Sequence, residues 1–274
     1  MTNQRLPTLF IPHGGGPCFF MDWNPPDAWT RMGDWLRAVP DLVGQRPRAV
    51  LVISAHWEAP AFTVNARAQH ELLFDYYGFP EHTYRLQWPA KGDAALAKRV
   101  TGLIAEAGLP VARDDSRGLD HGVFIPFMLI DPQAAIPVVQ LSLREGLDPA
   151  EHLALGRALA PLRDEGVLIV GTGMSFHNMR RFRRDNTGLD ADSVAFDDWL
   201  THAVALPAAA RDKALENWEQ APSARASHPE EEHLLPLHVV AGAADADRGE
   251  QALSDHVLGS AQSAYVFGAG RAAN

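Results

Sequence analysis

Three histidines stand at or just beyond the ends of apolar segments, where side chains that do chemistry are often exposed to a ligand. His13 follows the run Thr8–Ile11, His56 comes near the end of AVLVISAHWE, and His177 follows a buried-looking run that reaches Gly171. The chain has twelve histidines but one cysteine. Imidazole binds zinc, iron and copper, whereas a thiolate site needs several cysteines. The residue types therefore favour metal binding by histidine, with proton transfer as the second chemistry available to them.

The segments before these histidines have the character of central parallel strands. A run such as residues 49–53, rich in Val, Leu and Ile without polar alternation, predicts a strand covered by helices on both faces. Strands are also predicted over 8–11, 61–66, 110–115, 136–142, 166–171 and 264–267, and helices over 27–39, 93–107, 123–130 and 149–165, with two more between 191 and 219. The carboxyl ends of parallel strands share one edge, where α/β proteins bind ligands. We expect His13, His56 and His177 to converge there.

Two further histidines are predicted near helix N-termini. His121, in GLDHG, opens an apolar helix. Ser227 and Glu230 have capping-box spacing, which predicts a helix that starts there, has His233 in its first or second turn and contains Pro236 in its interior. None of these spacings matches a local zinc signature such as HExxH. From spacing alone, a metal site and a set of separate structural histidines both stay open.

Bulk composition excludes several classes of protein. With 274 residues, 46% hydrophobic, and no linker or repeat, the chain is expected to form one domain over residues 1–274. A net charge of −10 argues against a nucleic-acid partner, and no apolar run approaches the roughly 20 residues that a membrane span requires. A lone cysteine and an N-terminus without signal-peptide character predict a cytoplasmic protein. A small-molecule substrate is the partner that remains.

Six short motifs carry a family resemblance, because they occur together and in order: PHGGGP, ISAHWE, GFPEHTY, LDHG, GTGMSFHN and HPEEEHLLPLHV. The chain resembles the catalytic (B-type) subunit of the class III extradiol ring-cleaving dioxygenases, and within them the single-chain DOPA-dioxygenase-like group. This resemblance implies an α/β fold, a three-layer α/β/α sandwich on a central, mostly parallel sheet. It also implies Fe(II) that binds a catechol-type substrate and O₂, with Zn(II) possible in the purified protein, and no obligatory small subunit.

The resemblance also implies roles for individual residues. His13 of PHGGGP and His56 of SAHW match two histidine ligands of the metal. His177 of SFHN matches the acid/base histidine of the family, and a fourth metal ligand is the alternative role for it. His121 of LDHG matches a second active-site histidine near the substrate.

The third metal position departs from the two-subunit members of the family, which have a carboxylate there. In the single-chain group this position corresponds to His233. Glu232 is adjacent, but a neighbouring helical residue points about 100° away, so the prediction keeps His233. His228 is an alternative ligand if the helix starts later.

Other functions stay open at this stage. A zinc hydrolase could use the same histidines with a metal-bound water, and a non-enzymatic metal-binding protein could share the fold. The loop-like segment 74–92 either covers a pocket or packs as irregular core. Its aromatic part, residues 74–88, and the basic cluster near Arg180 could admit an acidic catechol, but they do not identify one. The other histidines are predicted to face solvent or to pack in the core: His70, His82, His152, His202, His238 and His256.

Overall fold

The apolar runs form the centre of an eight-stranded sheet. The structure, a computed structural model, describes residues 5–183 and 188–268. The strands are β1 (Thr8–Pro12), β2 (Ala49–Ala59), β3 (Phe62–Asn65), β4 (Val111–Asp114), β5 (Val138–Arg144), β6 (Val167–Gly173), β7 (Gly249–Val257) and β8 (Ser260–Phe267). Their order across the sheet is β4-β3-β5-β2-β6-β1-β8-β7. The central neighbours β5, β2, β6 and β1 are parallel, as their unbroken apolar character predicts.

Helices cover both faces of this sheet. They are α1 (Thr30–Val43), α2 (Ala94–Glu106), α3 (His121–Ile130), α4 (Pro149–Leu159), α5 (Ala191–Val204), α6 (Ala208–Glu216), α7 (Ala224–Ser227) and α8 (Leu235–Ala243), with 3₁₀ turns at Cys18–Phe20, Glu81–Arg85, Ala160–Arg163 and Trp218–Gln220. One apolar core packs α2, α4, α5 and α8 against one face, and a second packs α1 and α3 against the other. The predicted α/β/α sandwich is confirmed.

The carboxyl edge of the central strands is irregular, and this irregularity affects His56. The sequence predicted that the strand ends there, but β2 continues to Ala59. Its pairing with β6 stops at Ser54, and its pairing with β5 changes register between Ile53 and Glu58. His56 therefore lies in a stretch where the regular ladder has been lost, which lets its side chain project from the sheet edge.

The predicted helix start at Ser227 is wrong. Ser227 is the last residue of α7, and the extended backbone of His228 (φ −127°, ψ 90°) breaks the helix after it. Residues 228–234 form bends and turns, and α8 begins at Leu235. Pro236 then lies in the first turn, where an N–H would have no helical partner, so it costs no internal hydrogen bond.

At the far edge of the sheet, strand β7 was not predicted, and β8 begins four residues before the predicted strand. β7 pairs with β8 as an antiparallel hairpin. The single domain over residues 1–274 stays a prediction, although one sheet includes strands from residue 8 to residue 267. No helix among the described residues is both long and apolar enough to cross a bilayer.

Candidate active site

His13 and His56 approach each other at the carboxyl edge of the sheet. Their Nε2 atoms lie 3.2 Å apart. His13 is buried, and its Nδ1 lies 2.8 Å from the carbonyl oxygen of Gly14. Because a carbonyl oxygen can only accept, Nδ1 of His13 carries the proton and Nε2 presents a lone pair. The structure thus brings the two predicted ligands together, with the ligating nitrogen of His13 pointing to His56.

The glycine-rich turn after His13 allows this geometry. Gly14 has a φ of +81°, in the left-handed region that favours glycine. A Cβ at this position would lie 2.4 Å from Sγ of Cys18, whose side chain is buried under the turn. The motif PHGGGP therefore serves to reverse the chain closely around His13.

His121 is the first residue of α3 and joins the same cluster. Its ring centroid is 4.0 Å from that of His56 and 5.3 Å from that of His13. Oδ1 of Asp75 accepts hydrogen bonds from the backbone N–H of His121 at 2.9 Å and from its Nδ1 at 2.8 Å. Asp75 therefore caps the N-terminus of α3 and fixes the imidazole at the same time.

His233 and His177 complete the cluster on its other side. The centroid of His233 lies 5.2 Å from that of His13 and 4.8 Å from that of His56. The ring of His177 stacks on His233 at 3.4 Å, with an interplanar angle of 18°. All five predicted site histidines consequently belong to one continuous group.

Glu232 also reaches the cluster. The sequence argument that Glu232 points away from His233 assumed a helix, but this segment is not helical. Oε1 of Glu232 lies 2.7 Å from Nδ1 of His233 and 3.4 Å from Nδ1 of His177. The carboxylate is thus a direct neighbour of both histidines, and its position corrects the predicted orientation.

The remaining histidines lie outside the cluster. His228 is buried, its Nε2 lies 2.9 Å from the carbonyl oxygen of Ser175, and its ring packs on Phe196. Three of the other histidines are buried in the core: His70, His152 and His238. Three are exposed at the surface: His82, His202 and His256.

The site atoms form two neighbouring sets of possible metal ligands that share no residue. In each set the ligand atoms lie within 4.8 Å of one another; the sets are His13, His56 and His121, and His177, Glu232 and His233. Nε2 of His233 is buried and has no hydrogen-bond partner among the residues that the structure describes. Burial of a polar atom without a partner costs free energy, and a ligand bound to this nitrogen would recover it. A metal ion shared with His13 and His56 would provide one.

The donor set fits a metal of the iron and zinc class. Two nitrogens bound at about 2.1 Å and at right angles around one ion would lie about 3.0 Å apart. The 3.2 Å between the Nε2 atoms of His13 and His56 is close to this value. Three imidazoles also leave coordination positions for other ligands.

Electrostatics favour the ligating form of these histidines. Burial lowers the pKa of His13, His56 and His233 well below the ordinary 6.5, and repulsion by neighbouring histidines lowers each pKa further. At neutral pH the three rings are therefore uncharged, as metal binding requires.

Aromatic side chains from the segment 74–88 line the cluster on the side of His121. The ring centroid of Tyr76 lies 5.7 Å from that of His121 and 5.5 Å from that of Phe79. Phe74 packs on Phe124 of α3 at 5.5 Å. Of the two roles considered for this segment, packing as irregular core describes it better, and Tyr76 extends that core to the site.

Sequence reasoning missed Asp75 entirely. The available signal was weak: Asp75 is the one acidic residue in an aromatic stretch, FDYYGFP.

Two adjoining cavities of about 320 and 560 Å³ share Arg46 and Ala135 and border the start of β2, at the opposite edge of the sheet. No cluster histidine lines either of them. These cavities therefore lie apart from the histidine cluster.

A family model and two similar proteins that match this chain are described as dioxygenases. The family described as the catalytic LigB subunit of aromatic ring-opening dioxygenase matches residues 7–268. A 4,5-DOPA dioxygenase extradiol of Beta vulgaris is 39% identical over 86% of this chain and 86% of its own. Dioxygenase tasH of Hapsidospora irregularis is 36% identical over 96% of this chain and 85% of its own. The crystal structure of an uncharacterized Escherichia coli K12 protein superposes with a TM-score of 0.79, at 30% identity, over 96% of this chain and 100% of that one.

Proposed function

Since the chain belongs to the family of catalytic LigB subunits of aromatic ring-opening dioxygenases, we propose that it is a non-haem Fe(II) enzyme of the extradiol type that opens a catechol-type ring with O₂. The observation that carries this proposal is the unpartnered, buried Nε2 of His233 beside the facing Nε2 atoms of His13 and His56. Family membership favours this function over a zinc hydrolase and over a non-enzymatic metal-binding protein.

In this proposal His13, His56 and His233 hold the metal through their Nε2 atoms. When bound there, Fe(II) would lower the pKa of the catechol hydroxyls and keep open positions for the substrate and O₂. Each of the three histidines is kept neutral by burial, so the site needs no proton release at pH 7 before it binds the ion.

His177 and His121 serve the substrate. Nδ1 of His177 faces the Glu232 carboxylate, which leaves Nε2 of His177 to take a proton from a catechol hydroxyl and to return it later. Nδ1 of His121 donates to Asp75, so its Nε2 can accept a hydrogen bond from the substrate. The apolar wall at Tyr76 offers a surface for an aromatic ring beside these groups.

Oxygen uptake is the direct test. Protein reconstituted with Fe(II) in the absence of air should consume O₂ when air and a catechol are added. DOPA is the first catechol to try, because the similar protein of Beta vulgaris is named a 4,5-DOPA dioxygenase. The Zn(II)-loaded protein is the control, since zinc cannot take part in the electron transfer to O₂. Ester or amide cleavage by the Zn(II) form, with no O₂ uptake by the Fe(II) form for a panel of catechols, would replace this proposal with the hydrolase.

A pair of variants tests the third ligand. His233→Ala should lose the metal, whereas Glu232→Gln should retain it because the amide oxygen can still accept from Nδ1 of His233. Loss of metal in Glu232→Gln with retention in His233→Ala would make the carboxylate the ligand.

The cytoplasmic location and the lack of an obligatory small subunit stay predictions. Cell fractionation would test the first, and activity of the isolated chain would test the second.

A further inference from the structure

Two carboxylates, Asp75 and Glu232, lie on opposite sides of the histidine cluster and have corresponding surroundings. Each one lies next to one proposed metal ligand and one proposed substrate-side histidine. For Glu232 these are His233 and His177, and for Asp75 they are His56 and His121. In all four cases the nitrogen that faces the carboxylate is Nδ1.

The contacts on the Glu232 side are uneven. Oε1 lies 2.7 Å from Nδ1 of His233, a short hydrogen bond, but 3.4 Å from Nδ1 of His177. Only 17% of the Glu232 side chain is exposed, and its Oε2 is buried without a hydrogen-bond partner among the described residues. A carboxylate placed in this way gives up hydration, so its main compensation is the bond with His233.

The contacts on the Asp75 side are uneven in the opposite sense. Oδ1 accepts two hydrogen bonds from His121, from the backbone and from Nδ1. Oδ2 lies 3.8 Å from Nδ1 of His56, which is beyond hydrogen-bond distance. Asp75 therefore holds the substrate-side histidine firmly and the metal ligand only loosely.

A neutral imidazole has one N–H, and the partner of one nitrogen decides whether the other nitrogen has a free lone pair. We propose that Glu232 and Asp75 are positioning residues: Glu232 holds His233, and Asp75 holds His121, with the proton on Nδ1 and Nε2 directed into the site. This proposal rests on the proposed function, which makes His233 a metal ligand and His121 a histidine on the substrate side. His13 needs no carboxylate, since its Nδ1 already donates to the carbonyl oxygen of Gly14.

This assignment predicts different effects for the two carboxylates. Glu232→Ala should lower the affinity for Co(II) or Zn(II) about 10- to 100-fold, the range for removal of a group that orients a metal ligand. Glu232→Gln should recover most of the affinity because its amide oxygen accepts the same bond. Asp75→Ala should leave the affinity within a factor of about 3, because its contact with His56 is no hydrogen bond.

The affinity is measured by competition of Zn(II) with a chromophoric chelator, which needs no turnover. Glu230→Ala is the matched control, since Glu230 is exposed in the same turn segment and its removal changes the charge equally. Its affinity should equal that of the unsubstituted protein. Unchanged affinity in Glu232→Ala, or an equal loss in Glu230→Ala, would overturn the role of Glu232.

The tautomers are measured by long-range ¹H–¹⁵N correlation spectra of the Zn(II)-loaded protein. The unsubstituted protein should show His121 and His233 protonated on Nδ1, and Asp75→Ala should move the proton of His121 toward Nε2. A proton on Nε2 of His121 in the unsubstituted protein would refute the role of Asp75, even if a variant fails to fold. If these results hold while the Fe(II) form consumes no O₂, the proposed function fails and the positioning roles stand.

Discussion

Gly173→Ala should disable the metal site without changing any of its side chains. Gly173 ends β6 and lies directly against the backbone of His233, whose carbonyl oxygen accepts from the N–H of Met174. A Cβ on residue 173 would lie 2.1 Å from that oxygen, against an ordinary contact of at least 3.4 Å. The strand or the His233 backbone must therefore move by about 1.3 Å.

That displacement is large compared with what a metal site tolerates. Metal–ligand distances are held within about 0.2 Å, and loss of the correct orientation of one ligand typically lowers metal affinity about 10- to 100-fold. Since β6 is the central strand between β1 and β2, we expect the less constrained turn segment with His233 to yield. The affinity for Zn(II) should then fall about 10- to 100-fold, and overpacking should lower the free energy of unfolding by about 1–3 kcal/mol.

Chelator competition and urea unfolding measure the two effects separately. Gly102→Ala is the matched control: Gly102 lies inside α2, a Cβ there would meet no atom within 4 Å, and the change should stabilise the helix by about 0.5–1 kcal/mol without altering metal affinity. The double variant Gly173→Ala/His233→Ala should bind metal no more weakly than His233→Ala alone. Full affinity in Gly173→Ala would show that the strand yields instead, and would refute the reasoning.

Three further predictions concern single histidines. His56→Ala should abolish stoichiometric metal binding in equilibrium dialysis, and one ion retained per chain would remove His56 from the ligand set. His177→Ala should keep metal and catechol binding while turnover falls about 10²- to 10⁴-fold, whereas a large loss of metal affinity would make His177 a ligand. Burial lowers the pKa of His152 to about 4, so the unfolded chain is protonated first as the pH falls below 6.5. The free energy of unfolding should lose about 2 kcal/mol from this group between pH 7 and pH 5, and His152→Gln, followed by urea unfolding, should remove that part of the pH dependence.

The centre of the fold could be predicted because its strands are buried on both faces. In β2 and β6 the requirement for apolar side chains at successive positions leaves a pattern that a helix surface or an edge strand does not share. The convergence of His13, His56 and His177 followed from parallel strand ends at one edge. β7 escaped prediction because it is an edge strand with many exposed positions, and its strand character comes from pairing with β8.

The segment before α8 shows where local rules fail. Ser227 and Glu230 have the spacing of a capping box, but Ser227 is instead the end of α7. The backbone N–H of His177 donates to the carbonyl oxygen of Ser227, so a contact across fifty residues contributes to the turn. Because the segment is not helical, Glu232 and His233 can both face the site. A periodicity of 100° per residue could not predict that arrangement.

The negative charges of Asp75 and Glu232 lie beside a site whose three proposed metal ligands are uncharged imidazoles. A divalent ion held by three uncharged imidazoles would bring two positive charges into a largely buried site, and a buried charge is costly unless opposite charge lies close. Burial raises the pKa of Asp75 and Glu232, but hydrogen bonds to the carboxylates and interactions with the neighbouring histidines together outweigh burial, so both carboxyls have a lowered pKa. Both are therefore ionised at neutral pH and supply two negative charges immediately outside the ligands. Because Asp75 and Glu232 would act on the ion only through their histidines, we expect this compensation to be smaller than that from a directly bound carboxylate, in keeping with the small effect on metal affinity expected for Asp75→Ala.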